Sequence, residues 1–179
     1  MLKKFYPYEY VDSIFAVNYE KLYQMGYRGL IFDIDNTLVH HGEDSTPEVD
    51  DFFVYLHKLG FKTLLLTNNN QERVLKFTEN IDTMYIYDAD KPSTTNYYKA
   101  MDMLKTDKGS TIFLGDQLFT DIYGANRCQI PNILVKFMRY PEEKKIGKKR
   151  MVEKVILAFY RLRKKYTHRL GNISVEKEF

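Results

Sequence analysis

Apolar positions along this chain follow two periods. Five short runs are almost continuously apolar: GLIFDI (29–34), FKTLLL (61–66), MYIYD (84–88), TIFLG (111–115) and NILVKF (132–137). Runs of this length suit strands buried on both faces. Between them, apolar residues recur at helical spacing. Val11 to Met25 reads as a helix with Ile14, Phe15, Leu22 and Met25 inward, and Gly26 and Gly29 beside its end. Glu48 to Lys58 reads as a second helix that Gly60 stops. A third begins after Asn69 or Asn70 as cap, a fourth spans Thr94 to Lys105 behind Ser93, and a fifth runs from about Gln117 to Arg127. A long basic amphipathic helix is expected over Glu142 to Arg169. No repeat or low-complexity stretch interrupts this order. Strand and helix alternate throughout, which predicts an α/β fold: a Rossmann-like parallel sheet with helices on both faces.

That architecture binds ligands beyond the carboxyl ends of its strands. Asp33 and Asp35 end the first strand, Thr67 ends the second, Lys91 follows the third and Asp116 follows the fourth. Residues far apart in sequence therefore meet on one edge. Three carboxylates together repel one another and call for a cation. An all-oxygen set favours a hard ion such as Mg²⁺. A lysine and a hydroxyl beside that ion suit a phosphoryl group. Backbone N–H groups of the Asp35-Asn36-Thr37 turn could add an anion-binding nest. An aspartate in line with phosphorus is a feasible nucleophile.

LIFDIDNTL resembles the first motif of haloacid dehalogenase (HAD) superfamily phosphatases, LLLTNNN the second, Lys91-Pro92 the third and GDQLFTD the fourth. DNTL together with GDQLFTDIYGANR is similar to the subfamily IIIA, YqeG-like group, which includes relatives of mitochondrial phosphatidylglycerophosphate phosphatase. The resemblance covers residues 26–136 well and the flanks loosely. It implies a Mg²⁺-dependent phosphomonoester hydrolase. Asp33 would be the nucleophile and a metal ligand. Asp35 would be the general acid and base, with its carbonyl on the metal. Asn36, Thr37, Thr67, Asn68 and Lys91 would hold phosphate, Asp116 would hold the metal, and Asp121 would support the metal water or Lys91. Where many relatives have Leu-Gly after Asn-Arg, this chain has Cys128-Gln129, which bears on local loop geometry. Asp35 and Thr67 are separated by 31 residues, and Thr67 and Lys91 by 23. One helix and one strand consume each interval, so no cap domain fits. A capless site suits a phosphate carried on something large.

The remaining residues have plainer readings. Thr67 could be a turn hydroxyl, Lys91 a surface lysine, and Asp121 an acid favoured at a helix N-terminus. His40 and His41 read as solvated, and Cys128 as packing. The 15 Tyr and 12 Phe read as packing, because no RNA-module motif accompanies them.

Composition adds a charge asymmetry. Of 179 residues, 44% are hydrophobic, as in a globular domain, and the single cysteine excludes an internal disulfide. MLKKFYPYEY has no apolar core behind its lysines and does not read as a secretory signal. No segment reaches the roughly 18 apolar residues of a span, VILAFY (155–160) being among the longest runs. The expected place is the cytoplasm, with peripheral membrane attachment as an extension. Residues 1–141 hold 15 Lys and Arg against 19 Asp and Glu, whereas residues 142–169 hold 11 against 3. The expected organisation is thus a phosphatase domain over 1–141 and a basic helix and tail over 142–179.

On a helical wheel Met151, Val152, Val155, Ile156, Phe159, Leu162 and Tyr166 share one face, and Arg150, Lys154, Arg161, Lys164, Lys165 and His168 share another. Three readings compete: the apolar side packs on the domain with a solvated charged back, the helix lies on an anionic membrane, or it binds RNA phosphates. All motifs precede residue 142, so the helix is expected to be separable from the chemistry. The leading substrate is phosphatidylglycerophosphate. A nucleotide, sugar phosphate or phosphoprotein is the alternative, and a non-catalytic RNA- or protein-binding module is the second.

Overall fold

A computed structural model describes residues 2–138, 140 and 147–175. Six strands form one parallel sheet in the order β1-β6-β5-β2-β3-β4. They are β1 (Glu9–Val11), β2 (Gly29–Phe32), β3 (Lys62–Leu66), β4 (Met84–Ile86), β5 (Thr111–Gly115) and β6 (Asn132–Val135). The five apolar runs supply β2 to β6. Residues alternate between the sheet's faces within each run: Leu30 and Phe32 join one core, and Ile31 the other. Leu65, Ile112 and Leu114 follow the first, and Leu64, Leu66 and Phe113 the second. This two-sided burial is why the runs carry no polar alternation.

Helices cover both faces. Helices α1 (Tyr19–Gln24), α2 (Pro47–Leu59) and α3 (Gln71–Phe77) pack on the first core. Helices α4 (Thr95–Leu104) and α5 (Tyr123–Arg127) pack on the second. Helix α2 shows both ends specified by sequence. Thr46 Oγ1 caps it by accepting from Val49 N at 3.3 Å, Pro47 opens it, and Gly60 closes it with φ of 98°. Such a cap contributes about 1 kcal/mol. The intervals between motifs hold only these elements, and no cap domain is present among the described residues.

Two expectations are corrected. Val11 does not begin a helix. It ends β1, a sixth strand that pairs with β6, and helix α1 starts only at Tyr19. The terminal helix α6 spans Lys148–Arg161 and does not reach Arg169. Residues 142–146 of the expected helix lie outside the described residues. The chain leaves α6 because Leu170 and Ile173 are buried in the main core, and Leu170 N donates to the buried carboxylate of Glu9 at 2.9 Å. Lys164 and Lys165 lie on a short 3-10 turn after the helix. Residues 148–175 are therefore packed into the same body as the sheet.

In α6 the apolar face expected to pack on the domain is largely turned outward instead. The buried side of the helix carries Glu153, Ile156 and Tyr160, which meet Tyr6, Leu118, Ile122 and Leu134. Met151, Val152, Val155, Phe159 and Leu162 are exposed, Leu162 by 80%. The outward side of this helix thus mixes apolar residues with the exposed Lys148, Lys149, Lys154 and Arg161.

Candidate functional site

Strands β2 and β5 are neighbours, yet the chain leaves them in opposite directions: β2 leads to β3, and β5 to β6. Their carboxyl ends therefore flank the crevice where this class of fold binds ligands. Asp33 follows β2, its N–H donating to Leu114 O at 2.9 Å. Asp116 follows β5 and is buried. Asp121 joins them from a π-helical turn, Leu118–Ile122. One oxygen from each of Asp33, Asp116 and Asp121 lies within 4.8 Å of the others. Gly115 makes room for this. A Cβ there would sit 2.6 Å from the Asp121 carboxyl group, so the glycine before Asp116 is a steric requirement. Gly124 does the same for Tyr97, whose hydroxyl donates to the carbonyls of Thr120 and Asp121 and steadies the turn.

Lys91 reaches into the cluster with a side chain only 3% exposed. Its Nζ donates to Asp33 Oδ1 at 2.6 Å and Asp121 Oδ1 at 2.7 Å. Burial alone would favour its neutral form, but Asp121 and Asp33 reverse that and raise its pKa. One lysine does not neutralise three buried carboxylates. Burial pushes Asp33 up; Lys91 opposes this and Asp121 adds to it, leaving a pKa of about 6. Burial and Asp121 push Asp116 well above the usual range, with Arg150 opposing. Asp116 Oδ1 is buried with no hydrogen-bond partner. A group of all-oxygen donors, short of positive charge and holding one orphaned carboxylate oxygen, fits a divalent cation.

The TNNN segment divides its labour residue by residue. Thr67 is buried at the end of β3, its hydroxyl accepting from Asn69 N at 3.2 Å. Asn68 clamps Lys91 through the backbone: Oδ1 accepts from Lys91 N at 2.8 Å and Nδ2 donates to Lys91 O at 3.2 Å. Asn69 Nδ2 donates to Asp35 Oδ2 at 2.8 Å. Asn70, of the two cap candidates, caps α3 by accepting from Arg73 N. The Asn68 side chain is thus committed to Lys91.

Asp35 stands outside the three-carboxylate cluster. Its Oδ1 accepts from Gly42 N at 3.0 Å and an Arg73 guanidinium nitrogen at 3.3 Å, and His41 lies 3.4 Å from Oδ2. Burial pushes its carboxyl up, but these donors with Asn69 outweigh it and hold the pKa below the usual value. Asn36 takes the left-handed backbone its residue type tolerates, at φ of 62°. The nest expected here is not formed by Asn36 and Thr37. Asn36 N donates to Val39 O and Thr37 N to Ile34 O, so both amides are spent within the turn. The Thr37 hydroxyl is buried with no partner.

Sequence reasoning missed Asn69, Arg73 and His41 as partners of Asp35, and Arg150 and Glu153 of α6. The helical wheel groups Arg150 with the solvated basic face. In the structure one guanidinium nitrogen donates to Asp116 O at 2.7 Å and another contacts its carboxylate. The available signal is Glu153, the single acid in α6, three residues on. The terminal helix is therefore not separable from the site. His40 lies against Tyr140, ring centroids 4.0 Å apart. Cys128 is buried and its thiol is pushed up to about 11 by burial, in keeping with packing.

The chain matches the haloacid dehalogenase-like hydrolase family over residues 42–129. It is 38% identical over 137 residues to a Bacillus subtilis (strain 168) protein described as a probable phosphatase, YqeG, covering 75% of this chain and 80% of that one. Among solved structures, a HAD phosphatase from Thermococcus onnurineus is similar with a TM-score of 0.52 at 15% identity, over 68% of this chain and 89% of that one. A Listeria monocytogenes serotype 4b protein of unassigned function gives the same score at 16% identity, over 75% and 99% of the two chains. At these identities the solved structures speak for the fold alone.

Proposed function

Because the chain belongs to the haloacid dehalogenase-like hydrolases, we propose that this phosphatase cleaves phosphomonoesters through a phospho-aspartate on Asp33. The observation that carries the reading is the buried Asp33–Lys91–Asp121 arrangement at the β2–β5 crevice. Lys91 fixes one oxygen of Asp33 and leaves the other to attack phosphorus. Lys91 and the Thr67 hydroxyl hold the transferring phosphoryl, and Asn68 contributes through its backbone N–H. As Asp33 bonds to phosphorus, the bond from phosphorus to the ester oxygen breaks, and Asp35 in its protonated form gives a proton to that leaving oxygen. A water then attacks the phospho-aspartate, Asp35 takes its proton, the phosphorus–Asp33 bond breaks and inorganic phosphate departs. Mg²⁺ held by Asp33, Asp116, the Asp35 carbonyl and the adjacent Asp121 would supply positive charge to the phosphoryl oxygens. Asn36 and Thr37 then shape the turn, with only the Thr37 hydroxyl free for phosphate. Acid quenching during turnover of an aryl phosphate, followed by peptide mapping, is expected to find phosphate on Asp33. Turnover with no phosphorylated aspartate would sink the covalent route.

A lipid phosphomonoester, with phosphatidylglycerophosphate as the leading example, is the substrate class best supported. No cap covers the site among the described residues, and the exposed apolar side of α6 is bordered by Lys148, Lys154 and Arg161. A cavity of about 270 Å³ beside Asp116 is walled partly by Leu118, Leu134 and Leu157, with Lys136 and Lys154 in its lining. Among the described residues no helix is long and apolar enough to cross a membrane. The membrane reading is therefore a helix lying on an anionic surface. Each cation at such a surface contributes about 1 kcal/mol, so losing three weakens binding by roughly two orders of magnitude. Reversing Arg161, Lys164 and Lys165 to Glu, with Phe159→Ser, is expected to abolish sedimentation with phosphatidylglycerol vesicles. It should slow hydrolysis of a bilayer-embedded substrate and spare a soluble aryl phosphate. Wild-type protein that ignores vesicles and prefers a nucleotide, sugar phosphate or phosphoprotein would overturn the lipid reading. Preference for RNA without phosphate release would favour a binding module.

A further inference from the structure

Helix α6 enters the site through two side chains that no motif contains. The Arg150 guanidinium bridges Asp116 to itself, one nitrogen donating to its carbonyl oxygen at 2.7 Å and another contacting carboxylate Oδ2. A bridge from main chain to side chain of one residue fixes that side chain's torsion. It leaves Oδ1, buried and unpartnered, as the oxygen presented to the cluster. The guanidinium is itself held. Phe137 lies against it at 4.3 Å, and Glu153 Oε2 accepts from it at 2.9 Å. Glu153 Oε1 accepts from Leu118 N at 2.8 Å. The pair therefore grips the loop on both sides of Gln117, whose own N–H donates to Asp121 Oδ2 at 3.0 Å. Two of the three cluster carboxylates ride on the segment that α6 secures.

We propose that Arg150 is a positioning residue for the cation-binding carboxylate of Asp116, oriented by Glu153, so that α6 is a structural part of the phosphatase site. This rests on the reading of Asp33, Asp116 and Asp121 as a cation site. A guanidinium beside a metal ligand would ordinarily repel the ion. Here Glu153 carries the opposing charge 2.9 Å away. The pair sums to zero, and the ion still meets a net charge of −2 from three aspartates and Lys91. Orientation therefore outweighs repulsion. Partners of this kind typically govern metal affinity by about 10- to 100-fold.

The test is calorimetric titration of Mg²⁺ into the metal-free full chain. Wild type is expected to bind and Asp116→Asn to lose binding; a wild type that takes up no ion removes the cation site itself, and the inference with it. Given wild-type binding, Arg150→Gln is expected to weaken it by about 10- to 100-fold. Glu153→Gln should weaken it too, because its amide oxygen keeps the Leu118 bond while the compensating charge is gone. Should Arg150→Gln not fold, as judged by its melting curve, Glu153→Gln carries the test. Wild-type affinity in the folded variants overturns the proposal. Tighter binding in Arg150→Gln also overturns it, since Arg150 would then be a competitor for the ion's place.

Discussion

Asp33→Asn is expected to reduce kcat by on the order of 10⁴ or more, as befits loss of an attacking group. The amide keeps the volume at the end of β2 but is a far poorer nucleophile and metal ligand. The fold should survive, and the metal-free variant should melt no lower than wild type. Asp33 is one of three clustered buried carboxylates and shares Lys91 with Asp121, and its burial already disfavours the charged form. Removing one charge relieves that crowding, and Lys91 keeps its bond to Asp121. Steady-state kinetics on an aryl phosphate and a thermal melt check both halves. A residual rate within tenfold of wild type would remove Asp33 as nucleophile. A large drop in melting temperature with the same kinetic loss would make its role structural.

Asp35→Asn is expected to cost about 10² to 10⁴ in turnover, the range of general acid–base help. The structure sharpens which half-reaction suffers. Gly42, Asn69, Arg73 and His41 surround the Asp35 carboxylate and stabilise its ionised form. An ionised carboxylate is ready to take a proton from water and must be protonated before it can give one. With an aryl phosphate, whose leaving group needs little protonation, formation of the intermediate should be nearly spared and hydrolysis slowed. Phospho-Asp33 should then accumulate in Asp35→Asn. A variant that turns over slowly with no accumulated intermediate would place Asp35 in the first step instead.

The strand-end residues were legible because two-sided burial leaves few ways to read GLIF, TLLL or TIFLG, and the end of a buried strand places the next residues at the sheet's edge. Asp33, Thr67, Lys91 and Asp116 inherit their places from that rule. The failures were of a different kind. Glu9–Val11 is only three residues long and begins with an acid, so its strand character comes wholly from β6 beside it. Periodicity marked α6 as amphipathic but could not say which face the domain would bury. Polar partners decided it: Arg150 and Glu153 turned inward to Asp116 and Leu118, carrying Ile156 and Tyr160 with them. The Asn36 and Thr37 amides were not legible as donors to their own turn, where they meet the carbonyls of Val39 and Ile34.

The edge strand β1 sets an order of assembly. It pairs with β6, more than 120 residues later in the chain, and the Glu9 carboxylate then receives Leu170 N. Tyr6 packs on Tyr160 beside them. During synthesis β1 leaves the ribosome well before its partner β6, whereas β2 and β3 are neighbours both in sequence and in the sheet. Closing so long a loop costs entropy that only late contacts repay. A nascent chain that stops before residue 150 holds Asp33, Lys91 and Asp121 but has no guanidinium for Asp116. The contacts that complete this edge, and the one that holds Asp116, thus all await residues from β6 onward.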